Sequence, residues 1–173
     1  MRRLTHLDAK GAARMVDVGE KPVTSRRARA MGTLRMNAAA FRAMRREGLA
    51  KGDALALARA AGIAAAKRTA EWIPLCHVVP LEQVQVTIAF EPRTRSVRVE
   101  VEARARWRTG VEMEAMVGAA AALLTLYDMA KALDRGMRLG PVVLLEKCGG
   151  RSGTWRRRGF GGALTGRVGR RRR

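Results

Sequence analysis

The chain has 173 residues, 47% apolar and 29% charged, which is enough hydrophobe for one compact domain and enough charge for a soluble surface. Its 35 Lys plus Arg outweigh 15 Asp plus Glu, and the resulting net charge of +20 calls for anionic partners. The longest apolar run, 115–127, is too short to cross a bilayer. The N-terminus carries no signal-like hydrophobic stretch, and two cysteines without a Cys-x-x-Cys pair exclude a disulfide scaffold and a zinc ribbon. These features predict a reduced, cytoplasmic protein with no membrane contact and no resident metal.

From Thr24 the sequence alternates with period two. Ala28, Ala30, Gly32, Leu34 and Met36 fall on one side, and Arg27, Arg29, Met31, Thr33 and Arg35 on the other. The pattern predicts a strand with one buried and one largely basic face. Asn37 is placed to cap a helix over 38–47, and Asp53 an Ala-rich helix from 54 to about 72, stopped by Pro74. Val84, Val86, Ile88 and Phe90, then Val97, Val99, Val101, Ala103, Ala105 and Trp107, alternate with polar or small residues about a turn at 91–95, which predicts a hairpin. Thr109-Gly-Val-Glu112 reads as a capping box opening a helix to about 135, and 139–145 as a last short strand. This order predicts an α+β fold, an antiparallel sheet with helices packed on one face. Residues 1–155 form the expected domain. Residues 156–173 hold eight arginines and no acid, and read as a disordered Arg/Gly-rich tail.

The basic residues divide into 29 Arg and only 6 Lys. A lysine ammonium can lose its proton when buried or crowded by cations, whereas a guanidinium does not. The lysines are therefore the candidates for proton transfer, against the ordinary reading of scattered surface charge. His77, in Ile73-Pro-Leu-Cys-His77, falls in a loop, with Cys76 beside it reading as a small buried residue. Asp128 and Lys131 share a helix face, as either an ordinary surface pair or a carboxylate serving a polar cavity. Glu112 is explained by the capping box, but Glu114 is not. Gly149-Gly-Arg-Ser-Gly153 is a basic glycine loop that could approach phosphate, without the spacing of a Walker motif.

Taken in order, Leu4-Thr-His-Leu, Met15-Val-Asp-Val, Thr24-x-Arg26-x-Ala28, Lys51-Gly-Asp53, Ala65-Ala-Lys-Arg-Thr69, Ile73-Pro-Leu-Cys-His77, Thr109-Gly-Val-Glu-Met-Glu-Ala115, Leu126-Tyr-Asp-Met129 and Gly140-Pro-Val closely resemble the cyclic pyranopterin monophosphate synthase family, molybdenum cofactor biosynthesis protein C. The resemblance covers about residues 4–155. It implies a ferredoxin-like fold, a homohexamer built as a trimer of dimers, and active sites at subunit interfaces. It further implies that 3′,8-cyclo-7,8-dihydro-GTP, supplied by a partner radical enzyme, is converted to cyclic pyranopterin monophosphate with loss of pyrophosphate. Magnesium is implied, if at all, only as a companion of the triphosphate. Carried over by motif, Asp128 takes the catalytic position, and Leu75, Cys76, His77, Met113 and Glu114 take substrate-contacting positions. Lys51, Lys67, Lys131 and Lys147 fall on the lysine positions of the family pocket. The family loop is usually Lys-Ser-Gly-Gly-Lys-Ser-Gly, so Cys148 and Arg151 depart from it, and Arg151 supplies charge rather than a proton.

On this reading His77, Lys67, Lys147 and Arg151 bind the triphosphate, while Lys51 and Lys131 move protons if neighbouring cations lower their pKa. Asp128 orients Lys131. The rival class is a nucleic-acid-binding protein, favoured by the charge, the basic strand face and the tail. It leaves the sparing use of lysine unexplained and offers too few aromatics for a stacking platform. Nucleic-acid binding is then an incidental property of the tail.

Overall fold

The computed structural model describes residues 11–46 and 53–159. Strand β1 (Thr24–Arg35) is followed by helices α1 (Ala38–Arg45), α2 (Ala54–Lys67) and the short α3 (Thr69–Trp72). The hairpin β2 (Gln83–Glu91) and β3 (Ser96–Trp107) comes next, then the long α4 (Glu112–Ala130). Three strands close the fold: β4 (Arg138–Leu139), β5 (Val143–Cys148) and β6 (Trp155–Arg156). The sheet order is β2-β3-β1-β5-β6 with β4 also on β1, and every pairing is antiparallel. β1, β3, β2 and β5, with helices between β1 and β2 and between β3 and β5, make the ferredoxin-like α+β arrangement.

The period-two residues place the helices. Ala28, Ala30 and Leu34 of β1, and Val97, Val99, Val101, Ala103 and Ala105 of β3, are buried beneath α4. Helix α4 is apolar and long enough to cross a membrane, but it is the central core helix, with Leu123, Leu126 and five of its alanines buried. Helix α2 runs antiparallel to α4 at close range. Gly62 touches Gly118 and Ala122, and a Cβ on Gly118 would stand 3.0 Å from the Gly62 carbonyl oxygen. Asn37 caps α1 through the Ala40 amide, and Asp53 caps α2 through the Leu55 and Ala56 amides, as the sequence predicts.

Several boundaries differ. The expected helix from 54 to 72 breaks at Arg68, where φ and ψ leave the helical region. Helix α4 ends at Ala130, well short of 135. Its N-cap is Val111, with no side-chain cap, so the Thr109 box is not formed. The expected strand over 139–145 is two strands, because Gly140-Pro-Val interrupts pairing: Gly140 N bonds to Thr33 O, and Pro141 has no amide to donate. Arg156, grouped with the tail by composition, pairs with Glu146 in the sheet, and Arg157 N donates to Leu145 O. Residues 160–173, which carry the rest of that tail and its expected nucleic-acid binding, lie outside the described residues.

The open face of the sheet corrects the expectation of a basic strand. Arg27 pairs with Glu146 at 2.6 Å and Glu102 at 3.7 Å, and Arg29 with Glu100 at 2.6 Å and Glu146 at 3.4 Å. Burial opposes ionisation of Glu146. The Cys148 thiol donating to it and the guanidinium groups of Arg27, Arg156 and Arg29 prevail, and hold its carboxyl below the usual range. The face is a charge-paired lattice rather than a free cationic surface.

Candidate active site

At one end of the fold β1 begins, β3 and β5 end, and α4 starts. These ends enclose a cavity of about 720 Å³. Leu75, Cys76 and His77 enter it from the loop after α3, and Met113 and Glu114 from the first turn of α4. Lys147, Cys148 and Arg151 come from β5 and the glycine loop. Seven of the residues implied to touch substrate are thus brought together by segments far apart in sequence.

The local structure explains each placement. Trp72 ends α3 just before Pro74, and Cys76 N closes a turn onto Ile73 O, which brings Cys76 and His77 to the cavity wall. His77 Nε2 donates to the Val16 carbonyl at 2.8 Å, so that nitrogen carries the proton and ties the loop to the segment containing Met15-Val-Asp-Val. Gly149 and Gly150 have positive φ, +98° and +73°. A Cβ on the first would run into the Ser25 carbonyl oxygen, and on the second into the Arg26 guanidinium. The loop therefore lies flat on β1, where the Lys147 ammonium donates to the Ser152 hydroxyl.

Glu114 is the titrating group of this cavity. It is 4% exposed, and burial, with a smaller push from Glu112 and against its own backbone hydrogen bond, raises its pKa to about 7. A carboxyl divided between its two forms at neutral pH can both take and give a proton. Burial also pushes the Cys76 thiol up, and Glu114 adds to this, so the sulfur stays protonated, in keeping with a packing residue. Because the folded pKa of Glu114 exceeds the unfolded one, its contribution to stability is complete below about 4.5 and is lost as pH rises through about 7. We expect Glu114→Gln to melt like the parent at pH 4 and above it at pH 8, by an amount on the order of 3 kcal/mol. Thermal melts of both proteins across that range check this.

Three implied site residues lie elsewhere. Lys67 is the exposed last residue of α2 and does not line the cavity. Asp128 and Lys131 are at the far end of α4, 16 residues after Glu112, about 24 Å along the helix axis. There they form an exposed pair at 2.7 Å. The Asp128 hydrogen bond and charge raise the Lys131 pKa and outweigh the lowering by Arg135. Within one subunit the expected depression of Lys131 is therefore reversed. Lys51 lies outside the described residues.

Sequence reasoning gave no site role to Thr24, Arg26, Arg108 and Thr109, all of which line the cavity, and reached Lys21, which also lines it, only as one of the six lysines. Arg26 is the clearest loss: its Nε donates to the Trp107 carbonyl at 3.2 Å and its Nη2 to the Arg108 carbonyl at 3.0 Å, fixing the turn between β3 and α4. The available signal was its position in β1, an arginine on the strand's otherwise buried side. Among the described residues no three His, Cys, Asp or Glu side chains cluster as a metal site.

The MoaC family model matches residues 15–150. The chain belongs to the MoaC family. It is 53% identical to the cyclic pyranopterin monophosphate synthase of Thermomicrobium roseum, over 91% of this chain and 95% of that protein. The synthase of Parvibaculum lavamentivorans is 51% identical over 90% and 97% of the two chains. Cyclic pyranopterin monophosphate synthase 1 of Mycobacterium tuberculosis is 53% identical over 89% and 90%. The family match spans the whole cavity except Arg151 and Ser152 at its rim.

Proposed function

We propose that this MoaC chain is a cyclic pyranopterin monophosphate synthase of molybdenum cofactor biosynthesis, a lyase acting on a GTP-derived substrate. The observation that carries the reading is the single cavity uniting Leu75, Cys76, His77, Met113, Glu114, Lys147 and Arg151. The substrate is 3′,8-cyclo-7,8-dihydro-GTP, supplied by a radical enzyme, and the products are cyclic pyranopterin monophosphate and pyrophosphate. Lys147 and Arg151 meet the phosphates, and this fixed cationic wall stabilises the charge that develops as pyrophosphate leaves. Glu114 exchanges protons with the rearranging ring system, and His77, anchored through Val16, orients the substrate.

Asp128, Lys131 and Lys51 complete the site from a second subunit of a homohexamer. The separation along α4 supports this: one subunit cannot present both sets to one substrate. Residues 1–155 act as one catalytic domain. The deciding experiment incubates the protein with the cyclic dihydro-GTP intermediate and follows pyrophosphate and, after oxidation, pterin fluorescence. Stoichiometric appearance of both is expected, and consumption of the intermediate without pyrophosphate would defeat the reading.

A further inference from the structure

The ion pairs of the open sheet face stop short of the end of β1. Nearer the cavity, the opposed arginines Arg27 and Arg104 share a carboxylate, with Glu102 at 3.7 Å from the first and 2.6 Å from the second. At the last residue of β1, the end away from the cavity, Arg35 stands directly across from Arg138 of β4 and no carboxylate bridges them. Like charges opposed across a ladder repel. The segment 35–37 gathers two further arginines. Met36 N donates to the Arg95 carbonyl at 3.0 Å, and Asn37 N donates to Asp134 Oδ2 at 2.7 Å, next to Arg135. Among the described residues Arg95 is the one non-glycine with positive φ, +50°, a conformation that suits glycine or asparagine.

Arg35, Arg95, Arg135 and Arg138 are exposed, and none of them makes an ion pair among the described residues. The carboxylates described at this end are engaged: Glu91 with Arg98 at 3.5 Å, Asp128 with Lys131 at 2.7 Å, and Asp134 with the Asn37 and Gly136 amides. Four uncompensated charges call for an external anion, and the surroundings decide its class. The pleat turns Leu139, beside Arg138, to the opposite face of the sheet with buried Leu34. The exposed tryptophans, Trp72 and Trp155, belong to the cavity end. A protein partner needs an apolar or aromatic anchor, and base recognition needs a stacking platform. This surface offers neither, and a second copy of the chain, itself at +20, is repelled. We propose that Arg35, Arg95, Arg135 and Arg138 dock the phosphodiester backbone of nucleic acid without base selection. Guanidinium forks match phosphate oxygens in pairs, and backbone contact requires cations alone. The surface lies a full strand away from the cavity, so this binding is independent of the synthase reading.

The test is a fluorescence-anisotropy titration of the full chain with a random-sequence DNA duplex of about 20 base pairs, from about 50 to 200 mM salt. Every variant keeps residues 156–173, so differences between variants report the arginine cluster. Arg35→Gln with Arg138→Gln should weaken binding about tenfold at the low-salt end and make the slope of log affinity against log salt shallower by about 1.8. Arg59→Gln with Arg68→Gln removes two exposed charges from the helical side and should change both quantities far less. Equal losses in the two double variants would mean attraction to net charge alone and overturn the inference. So would parent-like affinity in the first, which would leave its arginines as guards against strand pairing at the β4 edge. Tighter binding of polyglutamate than of the duplex would point to an acidic protein and overturn it too. The ligand-free melting temperature of Arg35→Gln with Arg138→Gln should hold or rise as the repulsion is relieved. A fall of several degrees would mean that these arginines are already partnered in the assembled protein, and the docking surface would be lost.

Discussion

Asp128→Asn should abolish turnover, with a fall in kcat of about a thousandfold or more, while leaving KM and the melting temperature nearly unchanged. The structural half of this expectation comes from exposure. The Asp128 and Lys131 side chains are 55% and 51% exposed, and exposed pairs of this spacing contribute little to folding. The catalytic half comes from placing Asp128 against the substrate of a neighbouring subunit. The amide keeps the volume but surrenders the charge that holds Lys131 protonated and oriented. Binding should survive, because the proposed phosphate contacts are in the cavity at the other end of α4, so the loss appears in kcat. Steady-state kinetics and a melt on the same preparation decide it. A variant with normal kcat and a lowered melting temperature would return the pair to a structural role.

How much of this was legible in the sequence depended on the range of each interaction. The β2–β3 hairpin was readable because its alternation and turn lie within 25 consecutive residues, and the Asn37 and Asp53 caps because a cap acts on the next turn. The charge on the open sheet face was not. Arg27 and Arg29 look basic beside their own neighbours, and the carboxylates that neutralise them, Glu100, Glu102 and Glu146, arrive from strands 71 to 119 residues away. The same limit hid Arg26, whose partners are carbonyls 81 and 82 residues on. Thr109 misled for a different reason: its spacing to Glu112 satisfies a capping box, but the chain places the cap at Val111 and turns Thr109 into the cavity. The motifs recovered most of the cavity wall. Composition alone singled out lysines, of which one subunit brings Lys21 and Lys147 to the cavity and leaves Lys67 and Lys131 outside it.

That separation yields the prediction with the largest contrast. His77→Ala disables the cavity and Asp128→Asn disables the other end of α4, so each homo-oligomer should be inactive. Co-expressed, the two should regain activity. In a symmetric dimer whose sites each combine the cavity of one subunit with the Asp128 of its partner, a mixed dimer holds one site made wholly of intact halves and one made wholly of altered halves. Random assembly makes half the dimers mixed, so recovery should approach about a quarter of the parent rate. If instead each subunit used its own Asp128, no mixture would hold an intact site, and activity would stay at background at every ratio. The roughly 24 Å between Glu112 and Asp128 along α4 makes that second outcome hard to reconcile with the fold, because a 19-residue core helix cannot bend its two ends onto one substrate. Tagging the two variants differently and purifying the mixed species should concentrate the recovered activity there, toward about half the parent rate per subunit. Failure of the purified mixed species to turn over would place the complete site within a single chain and require a different account of Asp128.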